Sequence, residues 1–169
     1  MIEVKDWDCI VIPQNWHRSM ASWKPFLKCS VKFQFYFNET GRYISRKPEN
    51  QEAINKLIGF ADGTLRHHKN SFRVGWNYDP HNDRFRVYAY VYKDGERVEK
   101  LLGYTEPYKD NTVIVKCLYA HYQVTFNNTM YIIPRSKNIK CKYKHMLWPY
   151  FGGEETAPHA IPVFLKWRQ

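Results

Sequence analysis

The chain has 169 residues and a formal net charge of +10, from 26 Lys and Arg against 16 Asp and Glu. With 44% apolar and 25% charged residues it has the balance of one ordinary globular domain, which excludes a disordered chain, a collagen, a coiled coil and a disulfide-dense mini-protein. What departs from average is the aromatic share: 13 Tyr, 10 Phe and 6 Trp make up 17% of the residues.

The opening Met1-Ile2-Glu3-Val4-Lys5-Asp6-Trp7-Asp8 has neither a basic n-region nor an apolar h-region, and no apolar run reaches the roughly 18 residues of a membrane span. This predicts a cytoplasmic protein or, alternatively, a virion component. Cys9, Cys29, Cys117 and Cys141 are widely scattered, with no C-x-x-C pair and no zinc-site spacing, which predicts free buried thiols and no metal or cofactor.

Along the chain, strand signals dominate. Val31, Phe33, Phe35 and Phe37 share one face of a strictly alternating run that ends at the turn Asn38-Glu39-Thr40-Gly41. Residues 48–58 predict two or three helical turns, with Pro48 near the start and acids in the first turn; a strand over 54–60 is the alternative. Alternation returns over 72–78, closes at residues 79–83 and restarts over 85–92. Lys93-Asp94-Gly95-Glu96 is the clearest hairpin turn in the chain, leading into a strand over 97–104. Further strands are expected at 111–119, 121–126, 129–134, 141–148 and 161–168, with Asn127-Asn128 as a two-residue turn. Nine to eleven short strands with turns between them predict an all-β fold over the whole chain, an antiparallel β-sandwich of jelly-roll, concanavalin- or lectin-like type.

Four features stand out as candidate sites. The first is Arg66-His67-His68-Lys69-Asn70-Ser71, a polar cluster before the strand 72–78. Adjacent His side chains on a strand point to opposite faces, so one metal cannot take both there, and no third ligand is spaced to join them. The second is the run from Trp148 to His159. Gly152-Gly153 lets the backbone pass close to something bulky, and Glu154, Glu155 and His159 carry proton-transfer groups. A glycosidase needs two carboxyls about 5–9.5 Å apart, which the adjacent Glu154 and Glu155 reach only in a sharply bent loop, so no residue is assigned to catalysis.

The third feature is Tyr88, Tyr90 and Tyr92, which share one strand face and are suited to stack on sugar rings or a partner surface. The fourth is the basic stretch Arg135, Lys137, Lys140, Lys142 and Lys144, whose last three members fall on one face of the expected strand. Such a patch suits an anionic glycan or an acidic protein surface. Without any nucleic-acid motif, nucleic acid is disfavoured.

The run His67-His68-Lys69-Asn70-Ser71-Phe72-Arg73-Val74-Gly75-Trp76-Asn77-Tyr78, taken with Tyr150-Phe151-Gly152-Gly153 and Ala157-Pro158-His159, resembles small bacterial and phage-associated β-sandwich proteins of the concanavalin-like jelly-roll kind. The resemblance covers roughly residues 55–169 and implies a fold; the wider class spans lectins, glycan hydrolases and lyases, and virion proteins. The spaced acid pair and the Gln-x-His signature of its enzyme branches are absent.

The first expectation is therefore a non-catalytic module that holds a glycan or other polar or anionic ligand through His67, His68, Asn70, Arg73, Trp76, Tyr88, Tyr90, Tyr92, Tyr150 and His159. The alternatives are a virion or assembly protein, forming a homo-oligomer or larger assembly through its aromatic and basic surface, and a glycan hydrolase or lyase.

Overall fold

A computed structural model describes residues 7–20, 22–140 and 142–169. The opening residues 1–6 and Cys141, both read above, lie outside the described residues. The described residues form twelve strands and two short 3-10 turns. The strands are β1 (Asp8–Ile12), β2 (Pro25–Phe26), β3 (Ser30–Tyr36), β4 (Asn55–Asp62), β5 (Ser71–Asp79), β6 (Arg84–Lys93), β7 (Glu96–Thr105), β8 (Asn111–Cys117), β9 (His121–Phe126), β10 (Thr129–Pro134), β11 (Lys144–Leu147) and β12 (Ile161–Arg168); the turns cover Glu39–Gly41 and Pro48–Asn50.

The strands pair into two six-stranded antiparallel sheets, ordered β1-β12-β3-β8-β9-β10 and β2-β11-β4-β5-β6-β7. The jelly-roll sandwich read from the alternation is what forms. Its core lies between the sheets, where Phe33, Phe35 and Phe37 of the first meet Phe60, Phe72, Trp76 and Phe85 of the second. Burying side chains of this size contributes about 1.5–3 kcal/mol each, which is the main force holding the sheets together. The Asp94-Gly95 turn joins β6 to β7 with both residues at positive φ, 51° and 90°, as a tight hairpin requires.

Several expectations are corrected. The helix over 48–58 is one 3-10 turn followed by strand β4, the alternative reading. Its acids go to local structure: Glu49 sits in the 3-10 turn and Glu52 pairs with Arg86 at 2.9 Å. The thiols are not uniformly buried: Cys9 and Cys29 are exposed, and half-buried Cys117 has its pKa pushed up to about 12 by burial. The predicted strand 141–148 shortens to β11, so the described residues before it, 135–140, 142 and 143, lie in no strand and share no alternating face.

The basic patch also dissolves. Lys137, Lys140 and Lys142 are exposed in that loop, but Lys144 is fully buried and Arg135 largely so. Both reach the buried carboxylate of Asp62 at the end of β4. That carboxylate accepts from Arg135 Nε at 2.7 Å and from the Tyr122 hydroxyl at 2.7 Å, and Lys144 Nζ stands 3.3 Å away. This cluster ties β4, β9 and β11 to the loop before β11. Desolvation makes it costly unless every member is matched, and here the carboxylate is surrounded.

Candidate functional site

Strand parity decides what the outer face of the second sheet presents. On β5, Phe72, Val74 and Trp76 point into the core, so Ser71, Arg73, Gly75 and Asn77 point outward. On β6, Phe85, Val87, Ala89 and Val91 are core, leaving Arg86, Tyr88, Tyr90 and Tyr92 outside. The register aligns these into rows that cross the strands: His145, Ala61, Ser71, Tyr92 and Arg97 in one, and Leu147, Gly59, Arg73, Tyr90 and Glu99 in the next. Lys56, Gly75 and Tyr88 form a third. The middle of this surface is built from small residues, so the larger side chains stand around a depression.

That depression is a cavity of about 610 Å³, walled by His67, His68, Arg73, Tyr90, Tyr92 and Tyr150 among the expected ligand-binding residues, by Trp148 from the second candidate run, and by Arg18 and Lys56, which were not foreseen. The walls come from three places. Strands β4 to β6 supply the floor. The turn after β4 supplies His67 and His68, whose rings contact each other and Tyr92. The third wall is a strap, residues 17–19, that runs beside residues 149–151 through the bonds Ser19 N to Pro149 O and Phe151 N to His17 O. Tyr150 in turn exchanges backbone bonds of 2.8 Å with Lys56, which locks the strap and loop onto β4.

Arg73 is the central group. It is 9% exposed, donates from Nη2 to Trp148 O at 2.7 Å, and leaves Nε buried without a partner. Gly59 makes room for it, since a Cβ there would stand 2.6 Å from Arg73 Cα and 2.9 Å from its Cγ. Among the described residues no carboxylate pairs with Arg73, Lys56 or Arg18, and no Asp or Glu lines the cavity. Burial pushes the Arg73 pKa down to about 10 and, with Arg73 and Arg97 adding repulsion, the Lys56 ammonium down to about 8. Lys56 Nζ donates to Ile54 O and lies 4.6 Å over the Tyr90 ring. His67 is held neutral: burial first, then His68, Arg73 and His145, lower its pKa to about 4. Tyr90 is pushed up to about 12 by burial and so keeps its proton to donate.

The remaining expected residues do not meet here. Trp76 is fully buried in the core against Phe37, Tyr43 and Phe85, because it lies on the opposite side of β5 from Arg73. Asn70 is buried and accepts from Asp94 N at 2.9 Å, bracing the β6–β7 turn. Tyr88 shares the outer face but lies outside the cavity lining. Glu155 accepts from Arg46 N, Lys47 N and Asn50 Nδ2, each at 2.8 Å, so it shapes the loop at Pro48–Asn50 and its pKa is lowered, first by Asn50. Glu154 is exposed, and the His159 ring bonds Thr40 O at 2.7 Å. None of the three proton-transfer candidates reaches the cavity. Gly152 does pass close to a neighbour, as its place in a Gly-Gly pair predicts: a Cβ there would stand 2.2 Å from Ile54 O.

Among the described residues no three of His, Cys, Asp and Glu gather as a metal site would need, and no helix is long and apolar enough to cross a membrane.

No family model and no curated protein matches the sequence. Solved structures do match in fold. The alginate lyase AlyC3 in complex with dimannuronate aligns over 96% of this chain and 74% of its own, with a TM-score of 0.61 at 8% identity. An alginate lyase from Alteromonas sp. 272 aligns over 98% and 89%, with 0.55 at 9% identity. A Bacteroides ovatus mixed-linkage glucan enzyme of family GH16 aligns over 99% and 81%, with 0.57 at 6% identity. At these identities the likeness is one of fold: the chain is a jelly-roll sandwich of the architecture those glycan-active proteins share.

Proposed function

We propose that the outer face of the second sheet binds an acidic glycan, with the carboxylate of one sugar seated against Arg73 and Lys56 and its ring against Tyr90, Tyr92 and Tyr150. The observation that carries this reading is the buried guanidinium of Arg73 with no carboxylate partner among the described residues, in a cavity lined by further cations and no acid. Burying a charge without a counter-charge is costly, and an anionic ligand supplies the missing partner. Aromatic rings beside the cations favour a ring-bearing anion over a bare phosphate. That the fold is shared with alginate lyases agrees with this reading. An array of acidic and neutral glycans tests it: the parent protein should be retained on uronate-bearing glycans and not on neutral glucans, and Arg73→Gln should lose the signal. Equal retention on neutral glucans would sink the reading.

A specific observation favours a second reading, in which the same site cleaves its glycan by elimination. His67 is unprotonated at neutral pH and so free to accept a proton, in a cavity whose cations would stabilise charge developing on a carboxylate. His67 takes the proton from the ring carbon bearing the carboxylate, and that electron pair forms a double bond to the adjacent ring carbon. The glycosidic bond at the adjacent carbon breaks, and its oxygen takes a proton from the Tyr90 or Tyr92 hydroxyl. Among the described residues no acid lines the cavity, so none of them there offers the carboxylate pair of two-carboxylate hydrolysis. The ultraviolet absorbance of an unsaturated uronate product reports the reaction. His67→Gln should abolish it while retaining binding, whereas a parent protein that binds uronates and releases no such product is a binding module only.

A further inference from the structure

Residues 22–24, just before β2, and the residues in and flanking β11 carry an aromatic surface just beyond the cavity. Trp23 is 59% exposed although it is among the largest apolar side chains in the chain. Its indole is held flat, stacked on His145 with ring centroids 4.3 Å apart and planes 22° apart, and Tyr143 supports it at 6.5 Å. Trp148 connects this surface to the cavity. It lines the cavity and also a neighbouring depression of about 300 Å³, and its Nε1 donates to Ser22 O at 2.7 Å. Lys24 Nζ lies 5.4 Å over the Trp148 ring and pairs with no carboxylate among the described residues, although Asp8 lines the same depression. An aromatic ring beside a lysine thus recurs outside the cavity, here with the lysine exposed and Asp8 in the same depression.

Register fixes the separation. His145, under Trp23, stands in the same row as Tyr92, with β4 and β5 between them. Three strand spacings put about 14 Å between these two backbone positions, too far for one sugar ring to touch both aromatic groups. The rings between them are continuous in character, running from Tyr90 and Tyr92 through His68 to His67, which senses His145 electrostatically.

We infer that Trp23 is a stacking platform for a second, outlying sugar of the same acidic glycan, so that the ligand is a polymer lying across the strands and not a single sugar or its dimer. This rests on the acidic-glycan reading above. Trp23 stacks on a ring face, and Lys24 meets that sugar's carboxylate. What sets Trp23 apart from the equally exposed Trp16 is that one face of its ring is fixed on His145, which leaves the other face open and presented for stacking.

Calorimetric titration with two-sugar and six-sugar oligomers of mannuronate, galacturonate and a glucuronate-bearing glycosaminoglycan tests it. The parent protein should bind its preferred acid roughly tenfold tighter at six sugars than at two, the scale of one ring stacked on an aromatic side chain. Trp23→Ala should lose that gain with two-sugar affinity unchanged, and Trp23→Phe should restore most of it. A six-sugar advantage that survives in Trp23→Ala, or a parent protein indifferent to length, overturns the role of Trp23 while leaving the acidic-glycan site standing. A parent protein that binds none of these acids at either length overturns both.

Discussion

Two groups of cations withdrawn wholly or partly from water lie against the second sheet and behave oppositely. At the end of β4, Arg135 and Lys144 converge on Asp62, with Tyr122 completing the carboxylate's shell. On the outer face, Arg73 is buried and Lys56 half-buried, and no acid among the described residues pairs with either, although Glu99 acts on Lys56 electrostatically. The first group is complete without a ligand and serves the fold. The second has no paired acid among the described residues, and on the function proposed above an anionic ligand takes that place. Burial alone therefore does not mark a functional charge; burial without a counter-charge does.

The sharpest break between the two is stability. Asp62→Ala should cost about 3–5 kcal/mol, because it leaves two buried cations uncompensated, and a chemical denaturation midpoint measures it. Arg73→Met should stay within about 1 kcal/mol of the parent, since one bond to Trp148 O is lost while a desolvated charge is removed. The same Arg73→Met protein should lose acidic-glycan affinity by about 2–5 kcal/mol, as when one partner of a buried charge pair is taken away.

A smaller effect separates the groups by pH. Lys56 gives up its proton near its pKa of about 8, so affinity for an acidic oligomer should fall as pH rises through that value. Lys56→Arg should remove the fall, which titrations on either side of that pH would show. A last effect, reduced by the partial exposure of His67, is on stability in acid. His67 has a pKa of about 4 in the folded protein against 6.5 ordinarily, so the unfolded chain binds more protons between those values. Stability should be full above pH 6.5 and decline as pH falls from 6.5 towards 4, and His67→Gln should flatten that part of the thermal unfolding profile.

Much of the fold was legible. Alternation identified β3, β5, β6 and β7, and Asp94-Gly95 located a hairpin, because turn chemistry and side-chain period are local. Strands β1 and β2 were not, since the strand character of Asp8–Ile12 and Pro25–Phe26 comes from pairing with β12 and β11, far away in the chain. The site was half legible. Parity already excluded Trp76 once Arg73 was chosen: residues three apart on a strand face opposite sides. It correctly grouped Tyr90 and Tyr92. Nothing local marked Arg18 or Lys56 as cavity walls, nor told Lys144 from Lys142. Those distinctions rest on Tyr150 and Asp62, which only the closed sandwich brings near.

The central claim, that the unmatched Arg73 exists for an anionic glycan, is tested most directly by one paired measurement on Arg73→Met: unfolding stability and affinity for an acidic oligosaccharide. Near-parent stability with affinity lost is the predicted result. Stability lost on the scale of Asp62→Ala, with affinity for the acidic oligosaccharide retained by the folded fraction, would contradict it and place Arg73 with the structural cations.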